Sequence, residues 1–271
     1  GSMEYELDLR EVLAPLQEDL GLRMRVMMLG EGSVEELDRW SCWPATPWLA
    51  VTGAKGFIDG TLGSRTARMY EPWHDRPEDR GILVEKAAAG ELAAWAKRVA
   101  ECRLAPCMHA IGDEAVGIAL EILGATDPAL AGRIEHAQII AARDAGALDG
   151  IWLAVQPLHR RDDALDSADA LGDRAGTLHA YRMMLDAGAR LAFGSDWPIA
   201  PHDPLAAMAA AIIADDARGD PFHPDQALTP LEALEASTAA AADALRSPDA
   251  GRLQEGCLGD VVVLDEDPRT C

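Results

Sequence analysis

"APCMHAIGDEAV", residues 105–116, is an apolar run that ends on a histidine, turns at Gly112 and continues as a helix-like stretch. Three other segments place a polar residue in the same position. "RIEHAQ" (133–138) ends its run on His136, "IWLAVQP" (151–157) on Gln156, and "RLAFGSD" (190–196) on Asp196. Two further apolar runs, "LRMRVMML" (22–29) and "WLAVTGAKGFI" (48–58), bring the total to six. Ala- and Leu-rich helical stretches lie at 8–20, 34–40, 88–102, 113–123, 141–148, 177–187, 204–216 and 230–246, and Gly or Pro marks most junctions. Alternating strand and helix implies a parallel sheet with helical crossovers.

Two architectures fit that order, an open doubly wound sheet and a TIM-type (β/α) barrel. Polar residues at the ends of several different strands favour the barrel, whose chemistry is assembled on that rim. An open sheet gathers its site at one switch point with a Gly-rich loop, and no GxGxxG or GxxxxGK[ST] occurs. The fold class is therefore α/β, a partial barrel with about six of the eight strands a closed barrel needs. The first clear element is a helix, so the chain reads as starting inside the barrel, after two βα units. The opening "GSM" reads as a tag remnant. The tail "LQEGCLGDVVVLDEDP" (253–268) carries a lone apolar run at Val261–Leu264. The expected organisation is a partial barrel over 1–246 and, over 247–271, the C-terminal strand of a small β-sandwich domain.

Bulk properties narrow the function classes. The 271 residues include 24 Lys and Arg against 46 Asp and Glu, a net charge of −22. Such an excess repels phosphate backbones and anionic lipid, so nucleic-acid and membrane partners are not expected. No apolar run approaches the roughly 20 residues of a membrane span. Five irregularly spaced cysteines (Cys42, Cys102, Cys107, Cys257, Cys271) do not form a disulfide framework and suit a reducing, cytoplasmic setting.

Histidine and carboxylate on separate strand ends make a ligand set for zinc or a similar divalent ion. Lys55, inside an apolar run, stands out because lysine is rarely buried without a partner. Asp113 reads as a helix N-cap and Asp59 as a turn residue. Ser195 sits in G-S-D and not in a G-x-S-x-G nucleophile elbow.

Taken together, "AKGFIDGTLGSRTA" (54–67), "MHAIGDEAV" (108–116), "RIEHAQ", "VQPLH" (155–159), "GSDWPI" (194–199), "LTPLEALEASTAAAA" (228–242) and "GDVVVLDEDP" (259–268) resemble the amidohydrolase superfamily. The resemblance is to its YtcJ-like branch, which includes N-substituted formamide deformylases, and covers the chain from about Leu22. It implies a metal-dependent hydrolase of C–N, amide-type bonds in small molecules, with one or two divalent ions, zinc first among them. By that resemblance Lys55 matches the carboxylatable lysine, His109 and His136 the ligands of two strands, and Asp196 a ligand that also shuttles a proton. Arg65, Tyr70, Trp73, Gln156, His159 and Trp197 are expected to shape the substrate pocket. The family's His-x-His motif is absent, the seven histidines being 74, 109, 136, 159, 179, 202 and 223. The chain thus looks like the second half of such an enzyme, expected to hold one ion or none, to keep Lys55 unmodified and to be a weak catalyst alone. Unpaired sheet edges suggest a homodimer. A non-catalytic interaction module, a deaminase and an esterase remain as alternatives, because fold and family do not fix a reaction.

Overall fold

The computed structural model of the chain describes residues 1–19, 21–30 and 32–269. Its single sheet runs in chain order through seven strands: β1 (Ser2–Glu4), β2 (Met24–Leu29), β3 (Leu49–Phe57), β4 (Ala105–Ala110), β5 (Arg133–His136), β6 (Trp152–Val155) and β7 (Arg190–Phe193). Every neighbouring pair is parallel. The sheet curls, since Met3 on β1 and Ala192 and Phe193 on β7 line one cavity. The result is a partial TIM-type barrel with β1 and β7 as its two edges.

Alternation along the strands explains why charge can sit in apolar runs. Val26, Met28, Ala54, Met108, Ile134, Leu153 and Leu191 belong to the main core, where Trp95, Val99, Val116 and Leu120 of the crossover helices Leu92–Glu101 and Asp113–Gly124 also lie. The intervening residues Met27, Lys55, His109, Arg133 and Glu135 line the barrel interior. Gly56 is where Trp95 reaches the sheet, because a Cβ there would stand 3.0 Å from the indole.

The sequence reading needs several corrections. There are seven strands rather than six, the extra one being the opening Ser2–Glu4, too short to show a period. Its backbone pairs with Val26–Met28. A helix at Pro157–Ala164 was not anticipated. The apolar run near the C-terminus enters no ladder among the described residues, and Val261, Val262 and Val263 are exposed. The expected helix at 230–246 is broken at Thr238 into Pro230–Ser237 and Ala239–Ala244. That at 88–102 begins only at Leu92, beyond Gly90 with its φ of +74°. The last residue of the 8–20 helix and Cys271 lie outside the described residues; Cys42, Cys102, Cys107 and Cys257 are free thiols. Among the described residues no helix is long and apolar enough to cross a membrane.

Replacing Trp95 by Ala is expected to cost about 3–5 kcal/mol in urea unfolding. A loss below about 1 kcal/mol would show that the indole is not what seats its helix on β3.

Candidate metal centre

The register of the central strands brings the polar side chains to one level. Lys55 pairs with Cys107 and Phe57 with His109 between β3 and β4, and His109 pairs with Glu135 on β5. Lys55 is only 3 % exposed. Its Nζ lies 5.3 Å from the Phe57 ring, and among the described residues no carboxylate lies within ion-pair distance of it. Burial lowers its pKa, against the pull of Glu135, and so favours the neutral amine. Glu135 is occupied elsewhere, accepting a 2.6 Å bond from Arg133 Nε.

Two histidines next to Lys55 have their tautomers set by acceptor-only oxygens. His109 Nε2 donates to the Gly60 carbonyl at 2.9 Å, which leaves Nδ1 with a free lone pair. His136 Nδ1 donates to Gln156 Oε1 at 2.9 Å, leaving Nε2. Gln156 is itself oriented, since its amide nitrogen donates to Ala154 O at 2.9 Å. The rings of His109 and His136 meet edge to face, 4.6 Å between centroids. Burial, helped by the Lys55 charge, lowers the His109 pKa to about 4 and takes that of His136 well below the usual value.

The tightest donor group is His136, His159 and Asp196, with one ligand atom from each lying within 4.8 Å of the others. His136 and Asp196 adopt the left-handed backbone region, φ 76° and 54°. Such conformations are costly for non-glycine residues and cluster at functional sites. His159, on the helix that follows β6, carries a buried Nε2 with no hydrogen-bond partner, 4.0 Å from Asp196 Oδ2. Burial lowers the His159 pKa and raises that of Asp196. Neutral imidazoles with free nitrogens beside an oriented carboxylate fit a divalent cation by donor type. They face a cavity of about 930 Å³ whose wall includes Lys55, His109, Gln138, Asp163 and Trp197, large enough for a small molecule.

Of the residues expected to shape the pocket, Gln156, His159 and Trp197 line this cavity. Arg65, Tyr70 and Trp73 do not. Arg65 is buried between Asp75 and Asp166, 5.5 Å from the ring of Trp73, and Trp73 belongs to a separate apolar cluster with Leu62, Met69 and Ile111. Tyr70 lies under the Arg143 guanidinium, 3.1 Å from its ring centroid. Arg65 and Tyr70 are engaged within the long loop after β3 and its neighbours, while Trp73 packs there with its Nε1 buried and unpaired among the described residues. Asp59 also proves more than a turn residue. Fully buried, it accepts N–H bonds from Arg68, Ile111 and Gly112 at 2.8–3.1 Å, joining the loops after β3 and β4; burial pushes its pKa up to about 7. Gly112 is the N-cap, while Asp113 begins the helix and binds Tyr70 N at 2.8 Å. His159 as a member of the donor group was missed, although "VQPLH" with its proline at the first helical position marked the helix start.

A curled parallel sheet with histidines and an aspartate on its C-terminal rim has the architecture of metal-dependent hydrolase barrels. The chain matches the amidohydrolase family model over residues 6–271 and belongs to that family. It is 33 % identical over 228 residues to the protein LONG AFTER FAR-RED 3 of Arabidopsis thaliana, covering 80 % of this chain and 39 % of that protein. YtcJ of Bacillus subtilis is 31 % identical over 251 residues, 86 % of this chain and 46 % of that protein. A 95-residue stretch, 35 % of this chain and 18 % of the other, is 37 % identical to an N-substituted formamide deformylase of Arthrobacter pascens. Among solved structures, an uncharacterized metal-dependent hydrolase of Pyrococcus horikoshii superposes on all of this chain with TM-score 0.85 and 28 % identity, over 56 % of its own length. The chain thus spans less than half the length of these curated relatives.

The neutral His109 ring carries a pH signature. An unfolded histidine takes its proton near 6.5, whereas the folded ring does so near 4. The unfolded state therefore binds more protons between those values, and stability falls as pH drops from 6.5 to 4, by up to about 1.4 kcal/mol per pH unit. In metal-free protein, subtracting the unfolding free energies of His109→Asn from those of wild type removes most of the contribution of other groups, Asp59 included. The wild type is expected to lose about 3 kcal/mol more than the variant over that interval; parallel curves would contradict a buried neutral His109.

Proposed function

We propose that this chain supplies metal ligands to a hydrolase acting on C–N, amide-type bonds of small molecules. The observation that carries the reading is the convergence of His136, His159 and Asp196 within 4.8 Å, with His159 Nε2 buried and unpaired. These three would hold a divalent ion, and their nitrogen and oxygen donors suit zinc. By the family resemblance Lys55 and His109 would join a second ligand set once it is complete, Lys55 as a neutral amine adding to carbon dioxide with loss of a proton to give a carbamate. A bound ion would supply Lewis acidity to a scissile carbonyl and acidity to a water.

The chain's own groups divide the remaining work. Asp196, half-exposed and with its carboxyl pKa raised by burial, takes a proton at the reacting centre and returns it to the leaving nitrogen. Gln156 keeps His136 in the ligating tautomer. Trp197 and Ile199, exposed at the cavity mouth, offer apolar surface to the substituent on the nitrogen. The similarity to the Arthrobacter pascens protein named for N-substituted formamides makes p-nitroformanilide a suitable chromogenic probe.

Zinc per chain, measured by elemental analysis after dialysis, and release of p-nitroaniline test this together. His159→Ala is expected to lower zinc affinity at least 10-fold and hydrolysis with it. Wild-type protein that binds no zinc, or a His159→Ala variant that binds it equally well, would refute the reading.

A further inference from the structure

The helix that was not anticipated, Pro157–Ala164, carries a second polar side chain into the cavity. Asp163 lies four residues after His159, on the same helix face one turn on, roughly 6 Å along the axis. Both residues line the cavity. Asp163 Oδ2 receives two donors, His179 Nε2 at 2.8 Å and the side-chain amide of Gln138. Among the described residues no protein group bonds its Oδ1. The carboxylate is thus clamped by one oxygen while the other is left free, and the side chain keeps 21 % of its surface exposed.

The clamp is itself held from behind by Tyr181. Tyr181 is fully buried, and burial raises its pKa, so its hydroxyl keeps its proton. Tyr181 OH lies 3.1 Å from His179 Nδ1, its one hydrogen-bond partner among the described residues. Tyr181 OH and Asp163 Oδ2 thus hold the two ring nitrogens of His179, which fixes the ring and with it the carboxylate. Among the described residues neither nearby arginine pairs with Asp163: Arg160 gives Nη2 to the carbonyls of Phe222 and His223 and keeps Nε and Nη1 unpaired, and Arg161 pairs with Asp215. Of the other acids that line the cavity, Glu4, Glu135, Asp162 and Asp196, Glu135 is paired with Arg133 and Asp196 belongs to the donor group.

An oriented anion with a free oxygen in a cavity wall recognises a cation or a strong N–H donor. We propose that Asp163, positioned by His179 and Tyr181, is the recognition residue for an ammonium or amine-type N–H group of the substrate, one helical turn from the reactive centre. The substrate class narrows to amide-type compounds that carry such a group beside the bond to be cut. The inference deepens the hydrolase reading and rests on it for the word substrate; the binding subsite itself requires no hydrolysis.

The test therefore uses binding. Cyclohexylammonium and its neutral counterpart cyclohexanol are titrated into zinc-equilibrated protein and followed by ligand-observed NMR. Wild type is expected to bind the ammonium at least 10-fold more tightly. Asp163→Asn, which keeps an acceptor for His179 but not the charge, is expected to bring the two affinities to within about 2-fold with zinc per chain unchanged. Asp163→Glu, with its carboxylate shifted by one methylene, should fall between. Equal affinities in the wild type, or an undiminished preference in folded Asp163→Asn, would overturn the proposal, and the wild-type comparison decides even if a variant fails to fold. Absence of zinc or of p-nitroaniline release would instead count against the hydrolase reading.

Discussion

The burial of Lys55 without a counter-charge is the constraint around which the interior of this barrel is organised. A lysine in that position is costly as an ammonium, because desolvation disfavours the charged form. The usual remedy, a carboxylate within bonding distance, is lacking among the described residues, and the nearest acid along the strands, Glu135, is held by Arg133. What surrounds Lys55 includes Phe57, Cys107 and histidines whose pKa values burial lowers, with Glu135 and Asp196 acting on its charge from beyond ion-pair distance. A buried lysine and buried imidazoles side by side are poor at stabilising a fold and well suited to receiving an ion. The interior thus gives up stability for a donor set.

Support for those donors comes from the layer behind them. The Gly60 carbonyl and the Gln156 amide choose which nitrogen of each histidine is free, while Asp59 ties the loops after β3 and β4 by three backbone N–H bonds. The loop after β3 is anchored further by Arg65 reaching Asp166 across 101 residues of sequence. Held on both sides, the strand ends tolerate the left-handed backbone of His136 and Asp196. The helix after β6 then adds two groups at helical spacing, a candidate ligand in His159 and a clamped anion in Asp163.

Much of this was legible in the sequence for a physical reason. A strand that is buried on both faces reads as an apolar run, and a polar residue at its end has few purely structural explanations. His109, His136, Gln156 and Asp196 were found that way, as were the parallel sheet and its barrel-like curl. Lys55 showed itself as a charge where the pattern called for none. What escaped detection depends on distant partners. β1 has three residues and exists through its pairing with β2. The helix Pro157–Ala164 is largely polar and charged and shows little apolar period, so His159 was taken for a pocket residue and Asp163 was passed over. Arg65, Tyr70 and Trp73 looked like pocket residues because they follow Lys55 in sequence, yet their partners lie in other loops. The valine run near the C-terminus has strand composition but enters no ladder among the described residues.

The central claim is that the strand-end donors converge on one ion next to an unpaired lysine. Diffraction from crystals grown with zinc, measured on both sides of the zinc absorption edge, tests it directly. The account expects an anomalous peak within coordination distance of His136, His159 and Asp196, with no carboxylate paired to an ammonium at Lys55. A peak at other residues only, no peak at full zinc, or Lys55 salt-bridged to an acid would contradict it.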